Sequence, residues 1–511
     1  MHPSNHIKNR SDHPAIIMAS TGVTVTYAEM EARANQTAHF FRSKGLKQGD
    51  VIAICMDNSS PRFLDIAWAA QRSGLYYSCI STKFLTDEIR YILKDSEAKF
   101  LFGAPSLSDV LEPLPSLHDG CQYYAVDGEI KGFENYQNAI GDMPITLLED
   151  GTAGADMLYS SGTTGQPKGI KPALTGGPID ETTPFSFLLR DLFGMSEHSK
   201  YLSPAPLYHA APLKWIMSVH NMGGTAIIME NWGDELCLKL IEKYKIDSAQ
   251  FVPTHFVRML KLPDEVKRRY DVSSLKTVAH AAAPCPVAVK ESMFEWFGPI
   301  IHEYYSGTEG PGFCYIGPDD WLTHKGSVGR AAIGEIRICD DNGEVVEQGQ
   351  QGNVYFEGGP PIAYHNAPEK LDEAVNKYGW GTMGDIGWVD PDGFLYLTDR
   401  KSFTIISGGV NVYPQEIENT IISHPDVMDV AVIGAPDPDF GERVVAIVQL
   451  IDPEQASDAM AQNITDFTSS SLSKIKTPKQ VDFRAELPRH PNGKLYKRLL
   501  RDEYWNKKAE V

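Results

Sequence analysis

The spacing of apolar positions changes several times along the chain, and each change marks an element. Residues 23–27 form a short strand-like run. Thr26 then suits a helix N-cap, with Glu29 three residues on to complete a capping box. Met30, Ala34, Ala38 and Phe41 fall on one helical face, and Gly45 ends it. Residues 51–56, Val-Ile-Ala-Ile-Cys-Met, read as a buried strand, followed by another helix through Trp68. Strand and helix alternate again over 224–229, 236–244 and 247–252. This alternation predicts α/β layers.

From about Gly334 the texture shifts to period two. Residues 335–339 and 353–357 alternate, with Gly343 and Gly352 as turns, which predicts a small antiparallel β region. Val-Asp-Pro-Asp-Gly-Phe at 389–394 predicts a hairpin turn between Gly387-Trp388 and residues 395–397. Beyond it lies a smaller α+β unit, with a helix over 414–424, strands near 427–433 and 444–450, and a helix around 464–472. The expected division is a large α/β domain over 1–400 and a small C-terminal domain over 403–511, with Ser402 in the hinge at 400–403.

At 511 residues the chain exceeds one ordinary domain, and its 42% hydrophobic and 22% charged residues are those of a soluble globular protein. A formal net charge of −20 argues against nucleic acid and against an anionic membrane surface, though not against an anionic small molecule. The 7 cysteines are scattered without a C-x-x-C pair, as expected of reduced thiols in a cytoplasmic enzyme. The first residues lack a secretory pattern, and no apolar run is long enough to span a membrane.

Candidate chemistry begins at residues 159–172, Y-S-S-G-T-T-G-Q-P-K-G-I-K-P. Ser160, Ser161, Gly162, Thr163, Thr164, Gly165 and Lys168 place hydroxyls, two glycines and a cation in one short segment, a composition that can wrap a polyphosphate. It is not the common P-loop. Pro167 precedes the lysine, Gly169 stands where a magnesium-holding Ser/Thr would be, and no helix N-terminus is expected to follow. The bland alternative is a surface loop.

This segment resembles the phosphate-binding signature of the adenylate-forming enzymes, which include acyl-CoA synthetases, amino-acid-activating domains and beetle luciferases. Further segments match in family order across nearly the whole chain. Residues 301–310 resemble the Y-G-x-T-E motif, with Ser306 in place of glycine before Gly307. The resemblance implies that Tyr305 stacks on adenine, Thr308 bonds the α-phosphate and Glu309 holds Mg²⁺. Residues 380–385 resemble the T-G-D motif, with Met383 in the usual Thr position. Asp385 is then the ribose ligand, joined by Arg400. The alternatives are an Asp in a glycine-rich turn and a solvated arginine.

Residues 487–494 resemble the P-x-x-x-x-G-K segment. Lys494 would reach the substrate carboxylate and the α-phosphate. Residues 407–416 resemble the small-domain signature, in which Ser407, Gly408 and Gly409 leave room for the pantetheine of CoA. A β-bulge and turn is the structural reading of the same glycines. Ser402 replaces the usual Asp or Lys of the hinge. His209 matches an aromatic or His gate between the ATP and thiol sides, with a helix-capping His as the alternative. No Asp stands between 204 and 217 to pair an amino group, which argues for a simple carboxylic acid.

His280-Ala-Ala-Ala-Pro-Cys resembles the G-G-A-P segment, so Ala283 and Pro284 would line adenine while Ala281 and Ala282 face the acyl pocket. Tyr304, Trp215, Phe251, His255, Phe256 and Phe313 are further wall candidates, each with core packing as its rival. Residues 174–198 run from Thr-Gly-Gly-Pro into Phe-Ser-Phe-Leu-Leu, where relatives usually start a helix with histidine. In this the chain looks like bacterial ligases for steroid or bile-acid side chains.

The resemblance therefore implies a two-step carboxylic acid–CoA ligase using ATP, Mg²⁺ and CoA, with a fatty, aromatic or steroid-like acid, and it leaves a homodimer open. Another acceptor (a carrier protein or oxygen) and an inactive ligand-binding relative are the competing readings.

Overall fold

The computed structural model describes residues 1–160, 167–489 and 495–506. Packing divides the chain into two units, Met1–Gln250 with Glu265–Ala279 and Ile362–Asp372, and Phe251–Asp264 with His280–Pro361 and Glu373–Val511. The segment at 400–403 thus runs inside the second unit.

The first unit is layered α/β. Thr26 caps the Tyr27–Ser43 helix. Its hydroxyl accepts from the Glu29 N–H, and the Glu29 carboxylate accepts from the Thr26 N–H at 2.8 Å. Met30, Ala34, Ala38 and Phe41 are buried, and Gly45 leaves the helix at φ +83°. The second helix runs past Trp68 over Arg62–Arg72. Val51–Cys55 is buried throughout, as a strand covered on both faces must be. It lies in a parallel sheet between Phe100–Gly103 and Tyr76–Cys79. A second sheet sets Lys200–Ser203 beside Thr225–Ile228 and Ser248–Phe251, all parallel.

The second unit is mostly antiparallel. Glu335–Cys339, Gly352–Glu357, Asp385–Val389 and Leu395–Arg400 form a four-stranded meander. The expected hairpin at 389–394 joins its last two strands. Its Asp390 carboxylate accepts from the N–H groups of Asp392 and Phe394, which fixes the turn. The C-terminal region has its own core. Along Val427–Asp437, Val430 and Val432 face the cluster under the Pro414–Ile421 helix, whereas Ala431, Ile433 and Ala435 face Leu500. Two expected bounds are corrected. The helix placed around 464–472 spans Asp458–Ser469, because Ser457 caps it, and the 414–424 helix ends at Ile421.

The 7 cysteines are unpaired, six of them buried and Cys285 half-buried. Burial pushes every one of these thiols above its ordinary value, Cys55 and Cys121 to about 12. Among the described residues, no helix is long and apolar enough to cross a membrane.

Candidate functional site

In the first unit, Leu158–Ser160 and Lys168–Ile170 form an antiparallel pair, with Lys168 opposite Ser160. The polar segment is therefore shorter than its sequence suggests, and Lys168 belongs to a strand. A strand, not a helix, follows Pro167. The Lys168 ammonium lies 5.8 Å from the Tyr364 ring centroid. Ser161, Gly162, Thr163, Thr164 and Gly165 fall outside the described residues.

His209 occupies the N-cap position of the Ala210–Met222 helix, but its side chain makes no capping hydrogen bond, so the capping alternative fails. Its ring lies 4.6 Å from that of Tyr208. Trp215, on the same helix, is fully buried, stacked on Tyr201 at 5.5 Å and met edge-on by Phe193 at 5.1 Å. This indole is part of the aromatic core. The segment flagged at 174–198 contains the Pro184–Phe193 helix, capped by Thr183 and ended by Gly194 at φ +68°.

In the second unit, three motif residues meet. Tyr305 ends the Ile301–Tyr305 strand, and its hydroxyl donates to Asp385 Oδ2 at 2.5 Å. Asp385 opens its own strand instead of lying in a turn, directly opposite Arg400 in the ladder. Arg400 Nε lies 3.4 Å from Asp385 Oδ1, so the arginine is paired, although 39% of its side chain remains exposed. Burial opposes the guanidinium charge, but Asp385, Tyr305, Glu309 and Asp399 overcome it and raise its pKa. Burial and the neighbouring Asp385 push the Tyr305 phenol well up, so it stays a donor.

Behind Tyr305, Ser306 Oγ donates to the Gly312 carbonyl at 2.9 Å. Thr308 and Glu309 are the central residues of a turn closed by Gly310 N–H to Gly307 O at 3.2 Å. A side chain at Gly307 would come within 2.8 Å of Met383 Sδ and 3.0 Å of Glu309 Oε2, so the departure at Met383 is accommodated by this glycine. Glu309 is half-buried. A single carboxylate suits Mg²⁺, which takes one or two carboxylates and completes its shell with phosphate and water. Among the described residues, the one cluster of three residues able to ligate a metal is elsewhere, His324 with Asp390 and Asp392.

Of the acyl-pocket candidates, Tyr304 and Phe313 stack at 5.3 Å with planes 8° apart. Phe251 meets His255 at 6.0 Å and Phe256 at 5.9 Å. Burial lowers the pKa of the His255 imidazole to about 3, so it is neutral at pH 7. Ala281 is buried, Ala283 half-buried and Pro284 exposed. Ala282 adopts φ +76°, a left-handed backbone at a position where the resembling motif has glycine.

Sequence reasoning missed the buried charges beside these aromatics. Lys290 and His280 are fully buried, and both converge on Glu303 Oε2, at 2.6 Å and 3.3 Å. Burial pushes the Glu303 carboxyl up, but Lys290 and His280 outweigh it and hold it well below the usual range. The only signal was a carboxylate two residues before Tyr305 in an aromatic strand.

Near the end of the chain, Gly408 and Gly409 form a two-residue hairpin turn at φ +59° and +81°, which corrects the β-bulge reading. Buried Ser407 precedes them, paired with Gly441. Ser402 is exposed in a single 3₁₀ turn, Lys401–Phe403. Lys494 lies outside the described residues.

Comparison with known proteins agrees with this arrangement. A family model described as AMP-binding enzyme matches residues 4–362, and one described as AMP-binding enzyme C-terminal domain matches 416–494. The long-chain-fatty-acid–CoA ligase FadD13 of Mycobacterium tuberculosis is 31% identical over 500 residues, covering 96% of this chain and 95% of that one. A feruloyl-CoA synthase of Amycolatopsis is 28% identical, covering 94% of each. The ATP-bound RpMatB–BxBclM chimera B1 superposes with a TM-score of 0.83 at 27% identity, over 99% of both chains. The motif order, the meeting of Tyr305, Asp385 and Arg400, and these matches lead to one conclusion: the chain belongs to the AMP-binding enzyme family of the adenylate-forming superfamily.

Proposed function

We propose that the protein is an ATP-dependent carboxylic acid–CoA ligase working through an acyl-adenylate. The observation that carries this reading is the Tyr305–Asp385–Arg400 cluster. Its aromatic face suits adenine, and its carboxylate, held by a charged guanidinium, suits two ribose hydroxyls.

In the first step a carboxylate oxygen attacks the α-phosphorus of ATP and the bond to the β-phosphate breaks, releasing pyrophosphate. Thr163, Thr164 and Lys168 grip the departing phosphates, Thr308 bonds the α-phosphate, and Lys494 offsets charge on the reacting centre. Glu309 would hold Mg²⁺, which supplies charge compensation to the phosphates. In the second step the small domain turns about Arg400–Ser402, withdrawing Lys494 and bringing Gly408 and Gly409 beside the pantetheine. The CoA sulfur then attacks the acyl carbonyl, AMP leaves, and the thiol proton passes to solvent. His209 stands as the gate between the two sides.

The acid is proposed to be fatty, aromatic or a steroid or bile-acid side chain, and the enzyme cytoplasmic. The test is to mix purified protein with ATP, Mg²⁺, CoA and a panel of palmitate, ferulate and cholate. Pyrophosphate, AMP and a CoA thioester should form together, and Lys494→Ala should abolish them. Pyrophosphate without thioester would overturn the ligase assignment.

A further inference from the structure

His280 is fully buried, and the chemistry proposed above does not use it. It ends the Thr277–His280 strand, next to the Ile301–Tyr305 strand that carries Glu303. Its Nε2 approaches Glu303 Oε2 at 3.3 Å, and Lys290 Nζ donates to the same oxygen at 2.6 Å. Among the described residues, no group hydrogen-bonds to its Nδ1.

A buried polar atom without a partner costs free energy, so each one calls for an explanation. His220 shows how a structural histidine sits in this chain. It is equally buried, yet its Nδ1 accepts from the Trp68 indole N–H at 3.2 Å and its Nε2 lies 3.0 Å from the Ala15 carbonyl. Both nitrogens of His220 are satisfied, and Nδ1 of His280 is not.

The neighbours fix the state of the ring. Burial lowers the His280 pKa, Glu303 pulls it the other way and Lys290 adds to the fall, so the imidazole is neutral at pH 7. A neutral imidazole carries hydrogen on one nitrogen and a lone pair on the other. The carboxylate beside Nε2 draws the hydrogen to that side. Nδ1 is then a bare lone pair, able to accept a hydrogen bond and unable to donate one. Lys290 holds this arrangement from behind, its ammonium also lying 4.6 Å from the Trp321 ring centroid.

The surroundings of the imidazole are aromatic. Phe256 meets the ring edge-on at 5.4 Å, and Phe256 in turn meets Phe251 at 5.9 Å. Ala281 directly follows His280. Phe251, Phe256 and Ala281 are all acyl-pocket candidates, so the lone pair borders the group of side chains expected to receive the acid.

We propose that His280 is a specificity-determining residue that accepts a hydrogen bond from a hydroxyl on the acid, with Glu303 and Lys290 as its positioning residues. The inference rests on the ligase reading above and narrows its substrate class to hydroxylated acids. The aromatic neighbours favour a phenol as the source of the hydroxyl. A site that binds a hydroxyl in this way rejects the analogue lacking it, because its own polar atom then stays unpaired.

The test uses the full-length protein and matched acids that differ only at the hydroxyl. Ferulate is compared with its analogue lacking the phenolic hydroxyl and with its phenol methyl ether, cholate with cholanate, and ω-hydroxypalmitate with palmitate. For acid-dependent pyrophosphate release, kcat/KM should favour ferulate over both analogues by about 10- to 100-fold. The methyl ether is the stringent control, since it keeps the oxygen and loses the hydrogen. A preference confined to the cholate or ω-hydroxypalmitate pair would support the same acceptor and assign the hydroxyl to an alcohol. His280→Phe keeps a buried ring without the lone pair and should bring the members of the preferred pair to near-equal kcat/KM. His280→Gln, which keeps an acceptor oxygen, should retain part of the preference. Each ratio is taken within one preparation, so a loss of folded protein lowers both rates and leaves the ratio intact.

Equal kcat/KM within every pair in the wild type would overturn the proposal without any variant. So would a methyl ether used as well as ferulate in an enzyme that prefers phenols, or a preference that survives His280→Phe unchanged, which would show a merely structural histidine. Absence of pyrophosphate release with every acid would instead defeat the ligase reading.

Discussion

Asp385 and Arg400 face each other across an antiparallel ladder at the two open ends of one hairpin, and their side chains meet at 3.4 Å. The hairpin's Asp-Pro-Asp-Gly turn lies at the other end, and a register shift between Ile386 and Gly387 moves the pairing by one residue, so that Asp385 faces Arg400 and not Asp399. Tyr305 adds a third group from a separate strand. The consequence is that Asp385 is already ordered before any nucleotide arrives.

Removing that carboxylate should weaken nucleotide binding more than chemistry. Asp385→Ala is expected to raise the KM for ATP about 10- to 100-fold, the equivalent of roughly 1.5–3 kcal/mol for hydrogen bonds to a charged group. Tyr305→Phe keeps the ring and loses only the bond to Asp385, so its effect should be several-fold smaller. Initial rates against ATP concentration, with the acid saturating, separate the two.

The buried Lys290–Glu303 pair predicts an asymmetric response to mutation. Lys290→Met leaves the Glu303 carboxylate buried without its ammonium partner and should cost about 3–5 kcal/mol in denaturant unfolding. Lys290→Met combined with Glu303→Leu should recover most of that loss, since both charges are then gone.

The same pair sets a pH dependence. In the folded protein Glu303 is held below its ordinary value of 4.5 by Lys290 and His280, against the effect of burial. A carboxyl whose folded value is depressed contributes stability that is full above its unfolded value and is lost as pH falls through the folded value. Wild-type stability should therefore decline below about pH 4.5 more steeply than that of Glu303→Gln, as read from urea midpoints across the acid range.

Ala282, at φ +76°, carries backbone strain that glycine would not. Ala282→Gly should stabilise the protein by about 0.5–1 kcal/mol, the left-handed penalty less the extra chain entropy of glycine. It should also relax selection among acids, by widening the wall beside Ala281. Comparative rates on palmitate, ferulate and cholate, together with unfolding midpoints, test both effects.

Gly408 and Gly409 present the opposite case. At φ +59° and +81° each rejects a side chain, and a Cβ on Gly408 would meet Phe440 Cδ1 at 3.0 Å. Gly409→Ala has open space around it, so its cost should be backbone strain alone, about 1–2 kcal/mol. Gly408→Ala should lose more, and its thioester step should slow while pyrophosphate exchange persists.

Much of this architecture is legible in the residues themselves. The capping box at Thr26, the buried run at 51–55 and the hairpin at 389–394 follow from local rules that tertiary packing does not override. The Tyr305–Asp385–Arg400 cluster is legible only through motif resemblance, because no local rule joins residues 80 positions apart. Charged groups that pair inside the protein stay hidden for the same reason. Lys290 and Glu303 are 13 positions apart, and Asp429 and Arg489 are 60 apart, and each alone looks like an ordinary solvated charge. Trp215 shows a related limit, since the sequence gives no sign of its stacking on Tyr201.

The seven raised, mostly buried thiols have a chemical meaning for a protein that activates acids. An acyl-adenylate acylates any thiolate within reach. Thiols held in the protonated form and away from the surface are poor nucleophiles, so the protein's own cysteines are protected from acylation. The activated acyl group is reserved for a sulfur that arrives from outside.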